Sequence, residues 1–389
     1  MSRVLQSAAS VVITGVSVVN AGAPDREWGA PDACAAVLGV PAVARATNVA
    51  EDADFPDDRK GVLASAALAG LGKLPAARVG LFLGTGLSSL TPDELRVDLY
   101  PHLRDSRFDR TALALALDLD HPAPRRHQPE RVTQVLAARI GAIHAETNFS
   151  ACAAASQSIA AAARAVARGD VDIALAGGHD SMLHPIGYLS FVVLGALSPT
   201  GCRPFDRTRD GFLIGEGAAL IQLERESDAR ARGATIYARF MGAGSSIDAY
   251  NVTAPHPEGR GAALAMSRAL RDAGLQAGDI GYVNAHGTGT PVGDKAESLA
   301  IHEVLGDVPV SSFKGAFGHT IAAAGAVELA WCIKMLNEGK VYGTVGLRDP
   351  DPELRCNVIA HSVAAVPDYV LSNSFGFGGQ NSALILGRA

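Results

Sequence analysis

One short order of features occurs twice in this chain, and the repetition constrains the fold more than any single motif. Cys152 opens a run of small residues, 153–168, that reads as a buried helix. Arg168-Gly169-Asp170 ends it, and 171–176 reads as a strand. His319 opens a second small-residue run, which ends at Glu338-Gly339-Lys340 and is followed by the strand-like 341–345. Two copies of one unit, each with a reactive side chain at a helix start, predict an internally duplicated fold. The join is expected near 230–234, where charged residues lead into Gly233, dividing the chain into halves 1–233 and 234–389. No Pro/Ser-rich linker marks that join, so the halves are expected to share one body.

The remaining sequence alternates in the same way. Short buried strands are predicted at 11–19, 79–83, 173–176, 280–284 and 369–374. Helices are predicted at about 60–71, 111–117, 130–139, 153–168, 260–273, 294–304 and 321–337. Such alternation implies α/β layering around a mainly parallel sheet. With 389 residues, 48% hydrophobic and only 19% charged, the chain can bury one large core or two fused ones. A net charge of -6 gives no reason to expect nucleic-acid binding. No apolar run approaches the ~20 residues of a membrane span. Val11-Val12-Ile13 after Arg3 faintly imitates a leader, but Gly15 and Ser17 interrupt it and the stretch reads as a strand. The cysteines, Cys34, Cys152, Cys202, Cys332 and Cys356, are odd in number and form no Cys-x-x-Cys pair, so a reduced, cytoplasmic setting is expected.

Three positions carry the chemistry. Cys152 lies in Asn148-Phe149-Ser150-Ala151-Cys152-Ala153-Ala154-Ala155, where a helix N-terminus would lower its thiol pKa; the alternative is an ordinary core cysteine. His286 lies in Asn284-Ala285-His286-Gly287-Thr288-Gly289-Thr290-Pro291, after a strand. There the glycines permit close approach, and Thr288 and Thr290 offer hydroxyls to a phosphopantetheine-like arm. His319 lies in Lys314-Gly315-Ala316-Phe317-Gly318-His319-Thr320. Either histidine could instead be structural. Lys314 and Glu328 bracket His319, either as a buried pair that positions it or as ordinary surface charges. Ser374-Phe375-Gly376-Phe377-Gly378-Gly379-Gln380-Asn381 is a glycine loop with an aromatic, suited to gating or to presenting a backbone N–H to an oxyanion, or else simply a tight turn. It is not a dinucleotide fingerprint, because it opens no helix. No metal is expected, since no His/Asp/Glu repeat has ligand-like spacing. His102, His121, His127, His144, His302 and His361 are given no role. One cysteine with two glycine-flanked histidines points to carbon–carbon bond formation on thioesters.

Together these motifs resemble the β-ketoacyl-[acyl carrier protein] synthases of the thiolase superfamily. The likeness is greatest to the elongating, decarboxylating type of fatty-acid and type II polyketide synthesis. It runs from about Asn148 to the C-terminus, through Arg203-Pro204-Phe205-Asp206, Gly215-Glu216-Gly217-Ala218, Gly293-Asp294 and the segments above. It implies a thiolase-like internally duplicated fold layered α-β-α-β-α. It implies Cys152 as acyl acceptor, His286 and His319 as the pair that binds the malonyl carbonyl, and Lys314 and Glu328 as their support. Phe377 and Gly376 would belong to the gating loop, Phe191 to the acyl pocket, and Thr288 and Thr290 to the pantetheine contact. No cofactor or metal is implied beyond the phosphopantetheine of an acyl carrier protein. The implied partners are that carrier and a second subunit, identical or chain-length-factor-like, with no nucleic acid and no membrane. Arg59-Lys60 and Arg125-Arg126 are expected to be exposed basic pairs, either a dock for an acidic carrier or plain solvated charge.

The chain also departs from the family's pattern. Gly141-Ala142-Ile143-His144 lacks the customary Gly-Pro, Gln380 stands where threonine is common, and His-Gly-Thr-Gly-Thr is a polyketide-type form. These favour a specialised pathway over housekeeping elongation. A non-catalytic chain-length partner would typically lack the nucleophile, and a non-decarboxylating thiolase would use a second cysteine near the end, whereas Cys356 lies in no such motif.

Overall fold

The duplication is visible in the strand connectivity. The computed structural model describes residues 9–21, 44–56, 58–86, 100–104, 107–116 and 128–389. The first half supplies β1 (Val11–Asn20), β2 (Val79–Thr85), β3 (His144–Asn148), β4 (Ile173–Ser181) and β5 (Glu216–Arg225). The second supplies β6 (Ala238–Ile247), β7 (Ile280–Asn284), β8 (Pro309–Ser311), β9 (Asn357–Val358), β10 (Tyr369–Gly376) and β11 (Gln380–Gly387). They form an 11-stranded sheet in the order β9-β8-β7-β10-β11-β6-β1-β5-β4-β2-β3. Outward from the centre, β1-β5-β4-β2-β3 repeats β6-β11-β10-β7-β8 strand for strand. In each run the first two pairings are antiparallel and the next two parallel. The runs join where Val11, Val12 and Ile13 pair antiparallel with Phe240, Arg239 and Ala238.

The sheet is therefore not mainly parallel, as the alternation suggested. The strands that make it antiparallel, β5, β6 and β11, carry no strand pattern in the sequence, and neither do the parallel edge strands β3, β8 and β9. β5 is buried along almost its whole length, so no period-2 alternation marks it. The strand expected at 341–345 also shrinks, to Lys340–Val341, which pairs with Val363–Ala364.

The helices complete five layers. They are α1 (Arg59–Gly70), α2 (Arg131–Ile140), α3 (Ala154–Arg168), α4 (Pro185–Val193), α5 (Arg260–Ala273), α6 (Pro291–Leu305) and α7 (Ala324–Glu338). The middle layer is α3 and α7. Ile159 and Val166 of one and Ile333 and Leu336 of the other share a core with Ile13 and Ile221 of the first-half sheet and Leu384 and Leu386 of the second. Small residues such as Ala162 and Ala163 let α3 lie between the two halves of the sheet, and α7 is buried nearly all round. On the outside, Leu63 of α1 and Leu136 of α2 cover Leu81 and Leu175, while Met266 of α5 and Ile301 of α6 cover Val283 and Ile385. Each fully buried aliphatic side chain is worth about 1.5–3 kcal/mol, so the two-sided burial of α3 and α7 fixes their N-termini firmly. Both N-termini follow the same device. A left-handed residue, Ala151 (φ 48) or Ile321 (φ 50), starts a one-turn 3-10 segment that leads into the helix. Cys152 is the second residue of the first such turn, and Ala322 occupies that place in the second.

Candidate active site

Cys152 stands at the start of the middle layer because Ala151 turns the chain there, and it is 6% exposed. The last strand before the glycine loop lies against it: a Cβ on Gly376 would come 2.9 Å from the Cys152 backbone nitrogen. The backbone N–H of Phe377 donates to the Cys152 sulfur. Burial pushes the thiol up to about 12, against the smaller opposing pull of the Lys314 charge. Burial thus works against the lowering expected from a helix N-terminus.

The two histidines reach the same space from the second half. Nε2 of His319 lies 3.2 Å from Cys152 Sγ, and the His286 and His319 rings meet edge to face with centroids 5.2 Å apart. Each ring has Nδ1 engaged as an acceptor. Ile321 N–H donates to Nδ1 of His319 at 3.3 Å, and the Lys314 ammonium lies 3.4 Å from Nδ1 of His286. An imidazole whose Nδ1 accepts carries its proton on Nε2. Burial first, and Lys314 second, hold both histidines well below their ordinary range, so both are neutral donors. Lys314 itself is fixed by Glu328 Oε1 at 2.5 Å and by the His286 carbonyl at 2.5 Å, and Asn284 donates to the other Glu328 oxygen at 3.0 Å. Lys314 and Glu328 are thus a buried pair, but the sequence placed them around His319, whereas in space they brace His286.

A cavity of about 310 Å³ opens onto these groups, and Phe191, Phe212, Phe377, Thr288 and Thr290 help line it. Phe191 meets Phe212 edge-on at 5.7 Å and lies 6.3 Å from Phe377, and Phe212 packs edge-on against His319 at 5.1 Å. The Thr288 and Thr290 hydroxyls are 3.0 Å apart at the mouth of the His286 loop. Phe377–Gly379 is both a tight connection and an aromatic loop, since Gly376 pairs with Gln380 across it.

Residues 67–229 match the N-terminal domain of the beta-ketoacyl synthase family and residues 237–348 its C-terminal domain. The chain is 43% identical over 251 residues to the 3-oxoacyl-[acyl-carrier-protein] synthase 2 of Vibrio cholerae, a match that spans 61% of each protein. It is 35% identical over 321 residues to the enzyme of the same name from Staphylococcus aureus, spanning 80% of this chain and 75% of that one. The chain belongs to the β-ketoacyl synthase family. A solved ketosynthase in complex with its chain length factor, from Xenorhabdus doucetiae, superposes with a TM-score of 0.78 at 29% identity, covering 100% of both chains. The matched members are acyl-transferring condensing enzymes, and the thiolase-like layering is theirs too.

Two features of this β-ketoacyl synthase were not expected from its sequence. Glu297 of α6 accepts the backbone N–H groups of His286 (2.8 Å) and Gly287 (2.7 Å) and the Asn373 amide (3.1 Å), so it shapes the histidine loop. Its signal was only an acid on the buried side of a helix, and burial pushes it up to about 7. Second, Arg59-Lys60 is not an exposed patch. Arg59 pairs with buried Glu216 at 2.6 Å, and Lys60 is 5% exposed. Arg125-Arg126 lies outside the described residues. Among the described residues no helix is long and apolar enough to cross a membrane, and no group of three His, Cys, Asp or Glu side chains is arranged to hold a metal ion.

Proposed function

We propose that this protein is a β-ketoacyl-[acyl carrier protein] synthase that joins an acyl group on Cys152 to a malonyl unit on an acyl carrier protein, with loss of carbon dioxide. The observation that carries this reading is the placing of Cys152 Sγ 3.2 Å from His319 Nε2, beside a second neutral imidazole that also carries its proton on Nε2.

In the first half-reaction the Cys152 sulfur attacks the carrier-bound acyl carbonyl. The bond from that carbonyl to the pantetheine sulfur breaks, and the thiol proton leaves with the pantetheine thiol. A thiol held near 12 is protonated at rest, so its proton departs as attack proceeds. In the second, the malonyl thioester oxygen lies toward Nε2–H of His286 and His319. The carboxylate carbon leaves as carbon dioxide, its bonding pair becomes an enolate, and the two N–H groups stabilise the negative oxygen. The enolate carbon attacks the acyl carbonyl on Cys152; the C–S bond breaks and the thiolate regains a proton. The backbone N–H groups of Cys152 and Phe377 serve the oxyanion of each tetrahedral intermediate, with Gly376 needed where a side chain would strike the Cys152 amide. Lys314 and Glu328 hold the His286 tautomer, Thr288 and Thr290 meet the pantetheine arm, and Phe377 with Phe191 govern access of the acyl chain. The reaction so written uses no cofactor other than the carrier's phosphopantetheine.

A specialised polyketide, polyene or fatty-acid pathway is the reading favoured by His-Gly-Thr-Gly-Thr and Gln380. The second subunit, identical or chain-length-factor-like, would extend the sheet at β3, an outer edge strand flanked by exposed Ile143 and Phe149. The boundary between halves at 233/234 is supported by the repeated connectivity, and a cytoplasmic setting by the free thiols of Cys152, Cys202, Cys332 and Cys356. The test is intact-mass spectrometry with acyl-loaded carrier, followed by malonyl-loaded carrier. An acyl adduct on Cys152 that disappears as 3-oxoacyl product forms is expected, and no adduct with any carrier-bound acyl group would overturn the reading.

A further inference from the structure

Helix α4 carries Phe191 into the cavity, and buried Phe191 with partly buried Tyr188 anchors it to the core. It has nine residues, short of the ~12–15 that an isolated helix needs even to be marginal. Leu189, Val192 and Val193 are 59%, 46% and 79% exposed, and the buried positions described on this helix are Gly187 and Phe191, one turn apart on one face. Its N-terminus therefore matters more than most. His184 stands there in an extended conformation, and its Nδ1 accepts the Gly187 N–H at 3.2 Å. Pro185 follows at the first helical position, where the missing N–H costs nothing. The imidazole also lies close against Gly187, where a Cβ would come 2.9 Å from Nε2 and 2.9 Å from the Met182 carbonyl. Ring and glycine interlock, so the cap fixes both the first turn and the angle at which the helix leaves β4.

We propose that His184 is a positioning residue: by capping α4 it sets the place of Phe191 and thereby which acyl chains reach Cys152. This rests on the ketosynthase reading above. His184 touches none of the reacting groups. Its influence passes along one turn to Phe191, from Phe191 to Phe212 and Phe377, and from Phe212 to the His319 ring. A cap of this kind requires an unprotonated Nδ1. Burial and the Lys60 ammonium keep His184 below its ordinary range, so the acceptor is present at neutral pH.

The test compares rates of Cys152 acylation by short- and long-chain acyl carriers in the wild type and in His184→Leu, His184→Asn, Phe191→Ala and the His184→Leu/Phe191→Ala pair. Hydrogen exchange over 185–193 is measured alongside. Losing an N-cap typically shifts a local equilibrium about five-fold. His184→Leu should change the long-to-short ratio by about that factor and raise exchange in α4. His184→Asn, a good cap, should restore both to within about two-fold of wild type. In the Phe191→Ala background His184→Leu should change nothing further. An unchanged ratio in His184→Leu, an equal shift without Phe191, or a ratio that His184→Asn does not restore would each overturn the proposal. If His184→Leu does not fold, His184→Ala takes its place in the same comparison. A wild type that never acylates Cys152 would instead overturn the function, and this inference with it.

Discussion

Lys314 keeps its ammonium 3.4 Å from Nδ1 of His286 while paired at 2.5 Å with Glu328, and the two side chains are 0% and 1% exposed. A charge pair so deep does little for stability by itself, because desolvation offsets the attraction. Its consequence is a histidine with one tautomer.

Breaking that pair from one side should be severe. Lys314→Ala leaves buried Glu328 without its counter-charge, with only the Asn284 amide as partner, and should cost about 3–5 kcal/mol in urea unfolding. Lys314→Met combined with Glu328→Leu should cost less than Lys314→Ala. That double variant should still lose malonyl decarboxylation by an order of magnitude or more, since His286 no longer has its Nδ1 donor. Full decarboxylation in the folded double variant would mean that the tautomer is fixed by something else.

Removing either imidazole should fall on one step. His286→Ala and His319→Ala are each expected to slow release of carbon dioxide from malonyl carrier by about 10²–10³, the usual worth of one oxyanion donor. Cys152→Ala should abolish the acyl adduct and leave that release measurable. Radiolabelled carbon dioxide capture separates the two behaviours.

The Cys152 thiol should respond to pH as a protonated group. A free thiol titrates near 8.5, whereas burial pushes this one up to about 12. Alkylation of Cys152 by iodoacetamide should therefore rise about ten-fold per pH unit from 7 to 9 without levelling. A plateau near pH 7 would show that the thiolate is stabilised at rest.

Glu297 makes stability fall as pH rises. Its folded pKa is raised to about 7 by burial, while an unfolded glutamate ionises near 4.3. The neutral form is favoured by folding, so its contribution is complete below about pH 4 and is lost progressively up to about pH 7. Relative to Glu297→Gln, the wild type should lose up to about 3 kcal/mol across that window. Denaturant unfolding of both proteins at pH 4.5 and 7.5 gives the difference directly, and a constant gap would contradict it.

The sequence carried the helix ends and the reactive turns well, because those depend on local chemistry. Gly169 and Gly339, read as terminators, are left-handed caps after α3 and α7. What it concealed were relations set by packing from both sides. β5 is buried along almost its whole length, and uniform burial erases periodicity. Lys314 is near His319 in sequence and bonded to His286 in space, a choice that spacing cannot express. Glu297 gives no sign of its clamp until the histidine loop is folded over it, and Arg59 reads as a surface cation until Glu216 is brought beneath it.

The left-handed turn at Ala151 has a twin at Ile321, and the twin lacks a sulfur. A β-branched residue at φ 50 is an uncommon conformation, of a kind that costs about 1–3 kcal/mol. The second half nevertheless keeps it, and the amide of Ala322 is taken up by Asp180 of the first half at 3.1 Å. Copying a fold copies its tensions along with its shape. Here one copy of the bent turn presents a cysteine to the cavity, while the other has become a joint between the halves, stitched to Asp180 of the first half. The ancestry of the molecule is thus written in a strain that each half has turned to a different use.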